Sequence, residues 1–229
     1  MKPEREDGSK CITRRSVVRS RRRLREQVAE VVETCRQPAV VQRYVDGREF
    51  AVSLLGWPVP RVLPLGEILF GDLPKGHPHI LTYASKWRPD TIESISTPSV
   101  AAVLRPRELR KIAAAGRRAF EVLGLRDYGR VDVRIDDRGD PYVIDVNPNC
   151  DLSTDGGFAR AAERAGMTYA QLIWEILRGA IRRLEGSVLF ASRGRHCRPS
   201  GLGPPAAAAF VGLPSLARAG VEAPAETVL

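Results

Sequence analysis

Four polar residues recur at matched positions in two short apolar segments near the middle of the chain. In "YGRVDVRIDDRGDPYVIDVNPN" (128–149), Asp132 and Asp145 each occupy a place where a strand core prefers an apolar side chain. A tight turn between the segments would place Asp132 opposite Asp145 and Arg130 opposite Asn147. Facing carboxylates repel each other, and carboxylate and amide oxygens suit Mg²⁺ or Mn²⁺. The pattern predicts a divalent-metal site, with Arg130 beside it to hold an anion.

A second interpretation fits the same spacing. The two acids could form the solvent-facing side of a polar hairpin, with Arg130 and Arg134 neutralising them. In both interpretations the apolar residues of the two segments share the opposite face, and these are Val131, Val133, Ile144 and Val146. Spacing alone leaves a metal site and a neutralised polar face both open.

Helices and short strands must position this hairpin. Apolar residues at helical spacing predict helices at 24–35, 106–123, 157–165 and 168–184. Strands are expected at 39–45, 49–56 and 61–65, the first two joined as a hairpin through Asp46-Gly47-Arg48. Residues 71–99, rich in Pro, Gly and His, are predicted to form an excursion or lid. The last helix begins with Thr168 and Gln171 at capping-box spacing.

Composition favours one domain over 1–185 and a mostly disordered tail over 186–229, which is rich in Ala, Gly and Pro. The sequence has no apolar run long enough for a membrane span, and "MKPEREDGSK" lacks the apolar part of a secretory leader. A cytoplasmic protein without membrane partners is therefore expected. The cysteines are scattered and lack a paired motif, which favours reduced thiols at Cys11, Cys35, Cys150 and Cys197.

The formal net charge is +9, and part of it comes from an arginine run, "RRSVVRSRRRLR" (14–25). Such a run can bind a polyanion or form a solvated helix face. The run has no interleaved aromatic residues, so nucleic acid is not the expected partner. At the N-terminus, Lys2 precedes a loop of small residues, Asp7-Gly8-Ser9, of the kind that can cover phosphates. An ordinary flexible terminus is the alternative there.

Four blocks together resemble the ATP-grasp superfamily and, within it, the D-alanine–D-alanine ligase group. They are "KPEREDGSKCIT", "VVQRYVDGREFAVSLLG", "YASKW" and "YGRVDVRIDDRGDPYVIDVNPN". The resemblance covers about 2–184. It implies an α+β class protein with a partial ATP-grasp fold, in which antiparallel sheets pack against helices. It also implies a ligase that forms a C–N bond by phosphorylating a carboxylate with ATP, after which an amine attacks the acylphosphate.

The resemblance implies roles for individual residues. Those implied to contact ATP are Lys2, Ser9 and Lys86 at the phosphates, Gln42 and Val45 at the adenine, and Glu49 at the ribose. Those implied to ligate Mg²⁺ (or Mn²⁺) are Asp132, Asp145 and Asn147. Arg130 would steady the transferring phosphoryl group and the acylphosphate. The other substrate would be a small amino acid or carboxylate.

Some positions depart from the family pattern. Cys11 stands where relatives commonly have a loop glycine, and Asp145 replaces a longer glutamate. Near the glycine and serine that hold the second D-alanine in relatives, this chain has Asp151 and Gly156, so the acceptor stays open. The chain begins at the Lys-Pro block. A homodimer, an absent N-terminal half, or a nucleotide- and metal-binding module without independent catalysis are therefore alternatives to a self-sufficient enzyme.

Overall fold

The computed structural model describes residues 1–193, and its contacts divide the chain into units Met1–Val188 and Leu189–Leu229. The strands are β1 (Lys2–Pro3), β2 (Ala39–Val40), β3 (Glu49–Leu55), β4 (Arg61–Val62), β5 (Gly66–Ile68), β6 (Ser99–Ala101), β7 (Tyr128–Ile135) and β8 (Pro141–Asn147). The helices are α1 (Arg21–Cys35), α2 (Tyr83–Trp87), α3 (Ile92–Ile95), α4 (Pro106–Val122), α5 (Gly157–Arg164) and α6 (Tyr169–Arg193). A search of the described residues finds no helix with the length and apolar character that a bilayer crossing requires.

The larger sheet confirms the expected α+β class with antiparallel strands. Its order is β6-β5-β3-β7-β8, with β4 paired to the end of β3, and every pair is antiparallel. One face forms the main core, in which Phe50, Val52 and Val131 pack against Ile112 of α4. Helix α4 approaches strand β3 closely at Gly116, where a Cβ atom would lie 2.6 Å from Cγ1 of Val52.

The opposite face of β3 and β7 carries the charged residues. Because side chains alternate along a strand, the register places Glu49 beside Arg134, Ala51 beside Asp132, and Ser53 beside Arg130 on this face. Beyond them a second apolar cluster closes the face, and it contains Leu55, Leu63, Cys150, Phe158 and Leu172. The charged row is therefore held on a rigid sheet between a core below it and an apolar cluster at one end.

The predicted hairpin of 39–45 with 49–56 is wrong. Strand β2 stops at Val40 and pairs with β1 in a separate two-stranded sheet, whereas β3 pairs with β4, β5 and β7. The residues between β2 and β3 form a connector from one sheet to the other. At its end Gly47 passes so close to Ile135 that a Cβ atom would lie 1.9 Å from the Ile135 carbonyl oxygen. Only glycine fits that crossing.

The predicted helices are confirmed, with different ends. Helix α4 has Pro106 in its first turn, and α6 begins with the expected capping box, in which Thr168 and Gln171 exchange hydrogen bonds of 2.8 and 3.2 Å. Helix α6 continues beyond the predicted end at Leu184 to Arg193 and so includes the first eight residues of the predicted tail of 186–229, whose remainder from 194 onward lies outside the described residues. The segment 71–99 contains α2 and α3.

The arginine run enters helix α1 as a largely exposed surface. Arg15 pairs with Glu30 at 3.3 Å, and Arg22 and Arg23 pair with Glu26 at 3.4 and 3.2 Å. All three ion pairs involve acids of α1, and those of Arg22 and Arg23 lie within the helix, which supports the interpretation of a solvated helix face.

Candidate functional site

A cavity of about 250 Å³ opens where the two sheets meet. Its wall comes from β1, the loop after β1, the connector after β2, helix α2, and strands β3, β7 and β8. The predicted site residues that line it are Lys2, Ser9, Gln42, Val45, Glu49, Lys86, Asp132 and Asp145. The remaining two, Arg130 and Asn147, pair with each other two residues further along the same strands. The fold therefore gathers residues from distant parts of the chain into one site.

The two opposed carboxylates have the predicted register, with Asp132 beside Asp145 and Arg130 beside Asn147. Arg130 holds Asp132 with two bonds, 2.7 Å from Nε to Oδ1 and 3.0 Å from the second guanidinium nitrogen to Oδ2. The Asp132 carboxylate raises the pKa of the Arg130 guanidinium above its ordinary value. Asp132 is thus paired with a fixed cation, whereas Asp145 is exposed.

Strand β8 contains a bulge that the sequence alone does not reveal. The register shifts between Asp132 and Val133, so Val133 pairs with Val143 and Asp132 pairs with Asp145, and Ile144 is the extra residue. Ile144 was expected on the core face, and instead it lines the cavity. Its carbonyl oxygen accepts a hydrogen bond of 3.0 Å from Nζ of Lys2, which also lies 3.4 Å from Oδ1 of Asp145. The bulge therefore places the Ile144 carbonyl against Lys2, which is the first of the two lysines predicted to bind phosphate.

The three predicted metal ligands suit magnesium, which shares its ligands between protein and substrate, better than they suit a metal that is bound by protein groups alone. Within residues 1–193, no three His, Cys, Asp or Glu side chains are grouped so that they could hold a metal ion. Magnesium commonly takes one or two carboxylates and completes its shell with waters and substrate phosphates. Asp132 and Asp145 supply two such carboxylates, and the amide oxygen of Asn147 accepts a 2.9 Å bond from the Asn149 backbone. The residues present fit an ion that arrives with a nucleotide.

The loop after β1, which is predicted to cover phosphates, has three residues in the left-handed region of backbone angles. Gly8, Ser9 and Cys11 all have left-handed backbone angles, with φ of 58°, 61° and 59°. Helix α2 anchors this loop, because Nε1 of Trp87 donates to the Gly8 carbonyl at 2.8 Å and the Tyr83 amide donates to the Ile12 carbonyl at 2.9 Å. In the sequence, "YASKW" indicates a role for its lysine only, and these anchors of the loop are visible only in the structure.

The expectation of reduced thiols is wrong for two cysteines. Cys11 in the loop forms a disulfide with Cys35, the last residue of helix α1. Gln37, just past the same helix, accepts a 2.6 Å bond from the Arg5 amide and donates a 2.9 Å bond to Glu6. The loop is therefore fixed on two sides, by α2 and by the end of α1. Cys150 remains a free, buried thiol.

Lys86 of helix α2 reaches the same cavity. Although much of this residue is exposed, the protein atoms around its ammonium lower its pKa by desolvation, and the Arg130 guanidinium lowers it further. The carboxylates of Asp132, Glu49 and Asp145 oppose this shift of the Lys86 pKa. Its ammonium thus lies within electrostatic range of the paired acids, as a phosphate-side lysine requires.

Glu49, the predicted ribose acid, is buried in an ion pair with Arg134. Arg134 donates to Oε2 of Glu49 from Nε at 3.0 Å and from a terminal nitrogen at 2.8 Å. Burial raises the pKa of the Glu49 carboxyl, and the Arg134 guanidinium opposes that shift. The polar-face interpretation assigned Arg134 to the paired acids of the hairpin, and its ion pair is with Glu49 instead. Sequence reasoning did not count Arg134 among the site residues.

The segment that follows β8 contains Asp151 and Gly156, two positions at which the sequence departs from the family pattern. Asp151 Oδ1 accepts bonds of 2.8 and 2.6 Å from the amide and hydroxyl of Ser153, and these bonds lower the pKa of Asp151. Gly156 packs against this carboxylate, because a Cβ atom there would lie 3.2 Å from Asp151 Oδ2. Burial raises the pKa of the neighbouring Cys150 thiol to about 11, so this thiol is neutral near pH 7.

Comparison with known proteins agrees with this geometry. The model of the family described as the D-ala D-ala ligase C-terminus matches residues 1–178. An uncharacterized protein of Sinorhizobium fredii, y4sG, is 34% identical over 187 residues, which is 82% of this chain and 53% of that protein. The D-alanine–D-alanine ligase of Carboxydothermus hydrogenoformans is 30% identical over 159 residues, covering 69% of this chain and 47% of the ligase.

Solved structures show the same fold. The D-alanine–D-alanine ligase of Bacillus anthracis complexed with ATP superimposes with a TM-score of 0.59 at 21% identity, over 74% of this chain and 50% of that one. The ligase from Coxiella burnetii gives a TM-score of 0.59 at 17% identity, over 78% of this chain and 44% of that one. The chain spans about half the length of the curated relatives it matches. Because the family model covers most of its length, the protein belongs to the family of the D-alanine–D-alanine ligase C-terminal domain and has an ATP-grasp fold.

Proposed function

We propose that this chain is the catalytic C-terminal part of an ATP- and Mg²⁺-dependent ligase that joins a carboxylate to an amine through an acylphosphate. One observation carries the proposal. Lys2, Lys86 and Arg130 converge on the opposed carboxylates of Asp132 and Asp145 at the cavity between the two sheets. Phosphoryl transfer needs positioned positive charge around a metal-bound triphosphate more than it needs covalent catalysis. The three side chains supply the positive charge, and the two carboxylates supply ligands for the metal.

The nucleotide would lie across the connector with its phosphates towards the paired acids. Gln42 and Val45 on the connector would contact adenine, and Glu49 would accept from a ribose hydroxyl. Lys2 and Lys86 would bind phosphate oxygens, and Ser9 would cover them from the loop. All six of these residues line the cavity, which supports their assignment to one ligand.

Asp132, Asp145 and Asn147 would hold Mg²⁺ or Mn²⁺, which neutralises phosphate charge when bound. Arg130 is charged and partly buried, and its ion pair with Asp132 fixes its direction. It would therefore stabilise negative charge on the transferring phosphoryl group and on the acylphosphate. The acceptor, a small amine-bearing molecule, would enter past Asp151 and Gly156. These residues differ from the family's D-alanine-binding pair, so we do not extend the proposal to D-alanine.

A second candidate function is a nucleotide- and metal-binding module that requires another polypeptide for catalysis. The observation that favours it is the coverage, since the chain matches only about half of each relative. Both hypotheses share the nucleotide site and differ in turnover. An assay of ADP release over a panel of small amino acids separates them, because only the ligase releases ADP in an acceptor-dependent way.

The nucleotide site is tested by thermal denaturation with ATP or ADP, with and without Mg²⁺. A ligand at one hundred times its Kd stabilises the folded state by about 2.7 kcal/mol, which is easily measured. We expect ATP with Mg²⁺ to stabilise the protein more than ATP alone, and Asp145→Asn to lose that increment. Asp140→Asn is the matched control, because Asp140 is an exposed acid at the hairpin turn that pairs with Lys111 at 3.0 Å. If neither nucleotide stabilises the wild-type protein, the proposal is wrong.

A further inference from the structure

Arg134 is the most deeply buried charged side chain of the cavity wall, at 3% exposure. It lies on β7 two residues beyond Asp132, on the same face of the sheet. A buried guanidinium is costly unless hydrogen bonds and an opposite charge compensate it. The partners that compensate Arg134 come from three separate segments of the cavity wall.

The first partner is the predicted ribose acid. The two nitrogens of Arg134 that donate to Glu49, Nε at 3.0 Å and a terminal nitrogen at 2.8 Å, contact the same oxygen, Oε2. The second oxygen, Oε1, lies outside this ion pair, on a residue that lines the cavity. The pairing therefore fixes the carboxylate while leaving one oxygen uncommitted to Arg134. It also opposes the effect of burial, which favours the neutral acid.

The second and third partners are backbone carbonyl groups. Arg134 donates at 2.7 Å to the carbonyl of Val45 in the connector, and it also donates to the carbonyl of His79. The next two residues after His79, Ile80 and Leu81, line the cavity. One guanidinium thus joins the connector, the acid of β3 and the segment before α2, exploiting the fixed fork geometry that lysine lacks.

Two aromatic rings hold the guanidinium in place. Its central carbon lies 5.5 Å from the Tyr44 ring centroid and 5.4 Å from that of Phe70. Phe70 in turn stacks on His79 with ring centroids 5.5 Å apart. Cation–π contacts of this kind restrict the orientation of the side chain.

We propose that Arg134 is a positioning residue for nucleoside recognition, which presents Glu49 to the ribose hydroxyls and sets the connector at Val45 against the base. This inference rests on the proposed nucleotide site, and it assigns the ribose selectivity of that site to the buried guanidinium group of Arg134. A buried ion pair is by itself a weak contribution to stability, since apolar replacement is often neutral. Arg134 instead joins three segments around one cavity, and we infer its function in binding from these contacts.

The test compares the affinity for ATP with that for 2′-deoxy-ATP and 3′-deoxy-ATP in Arg134→Met. We expect wild-type protein to prefer ATP by about tenfold or more over at least one deoxy analogue, as a charge-assisted hydrogen bond allows. In Arg134→Met this preference falls to about one, because Glu49 is no longer fixed. A merely structural role would weaken the binding of all three nucleotides equally and leave their ratios unchanged.

Arg48→Met is the matched control. Arg48 also holds an acid with two bonds, 2.7 and 2.8 Å to Glu67, donates at 3.0 Å to the Val103 carbonyl, and lies 5.0 Å from the Phe50 ring. Arg48 is the last residue of the connector and Glu67 lies on β5, and neither residue lines the cavity, so loss of this ion pair leaves the preference for ATP intact. If Arg134→Met does not fold, Arg134→Lys takes its place, since lysine keeps the charge and loses the fork.

The outcomes separate this inference from the proposed function. Wild-type protein that binds none of the three nucleotides refutes the nucleotide site itself. Wild-type protein that binds them without preference, or a folded Arg134 variant that keeps the wild-type preference, overturns the role of Arg134 alone. Glu49→Gln combined with the Arg134 variant provides an internal check, because the double variant should lose no more selectivity than either single one.

Discussion

The disulfide between Cys11 and Cys35 should contribute measurably to stability, and its contribution follows from the length of chain that it closes. The two cysteines are 24 residues apart in sequence. The chain-entropy treatment of a cross-link gives about 3.5 kcal/mol for a loop of that length at 25 °C, because the link removes conformations from the unfolded chain. For a protein of this size, 1 kcal/mol corresponds to about 2–4 °C in Tm. Reduction should therefore lower the Tm by about 7–14 °C.

The assays are a thermal melt, which gives the Tm, and a urea denaturation, each on the purified protein with and without a thiol reductant and followed by circular dichroism. Reduction should lower the midpoint and also increase the slope of the transition, since an uncrosslinked unfolded chain exposes more surface. The control is a Cys11→Ser/Cys35→Ser double variant, which should match the reduced wild-type protein and should not respond to reductant.

Two results would refute this reasoning. Equal midpoints for oxidised and reduced wild-type protein would show that the cross-link does not restrict the unfolded chain, or that it does not form. A reductant response in the double variant would show that the effect arises elsewhere. A loss much smaller than about 3.5 kcal/mol would mean that the reduced denatured state remains compact.

Three further outcomes are expected. Gly116→Ala should cost about 1–3 kcal/mol by overpacking against Val52, and Val52→Ala in the same chain should recover part of that loss in urea denaturation, whereas strictly additive losses would contradict the contact. In a Cys197→Ala background under oxidising conditions, Cys150, with its pKa of about 11, should react with a thiol reagent at pH 8 only after unfolding; rapid labelling of native protein would contradict its burial. Thr168→Ala should cost about 1 kcal/mol by removing the cap of α6, and an unchanged midpoint would show that the cap is dispensable.

Local patterns predicted the elements that depend on local chemistry. The alternation of apolar residues in the β7–β8 hairpin gave the register of Asp132 with Asp145, and Gly139, with φ of 76°, supplies the turn that the register needs. Helix α4 follows from Pro106 at its start and from Gly124, with φ of 67°, just after its end. Each of these signals lies within a few residues of the feature that it determines.

Features that depend on distant partners were not predictable from local pattern. The segment 39–45 looks like one arm of a hairpin, but nothing within it shows that β2 pairs with the N-terminal strand. The spacing of Cys11 and Cys35 carries no signal of a disulfide, because only the packing of α1 against the loop brings them together. The sequence pattern around Arg134 is typical of a surface residue on a polar strand face. In the structure, Tyr44 and Phe70 from two other segments cover it.

The bulge at Ile144 separates two properties of β8, the pairing of its acid with Asp132 and the position of its backbone acceptor for Lys2. Tyr142 pairs with Arg134 and Asp145 pairs with Asp132, so Tyr142 and Asp145 lie on the same face of the sheet although three positions separate them instead of an even number. Substitutions at Ile144 would change the lining of the cavity and leave Asp145 and Asn147 in place. Deletion of Ile144 would remove the bulge and restore regular alternation, which leaves Tyr142 and Asp145 on one face of the sheet. It would also remove the backbone carbonyl that accepts a hydrogen bond from Nζ of Lys2. The pairing of the two acids therefore does not depend on the bulge, whose contribution is the acceptor that holds Lys2 beside Asp145.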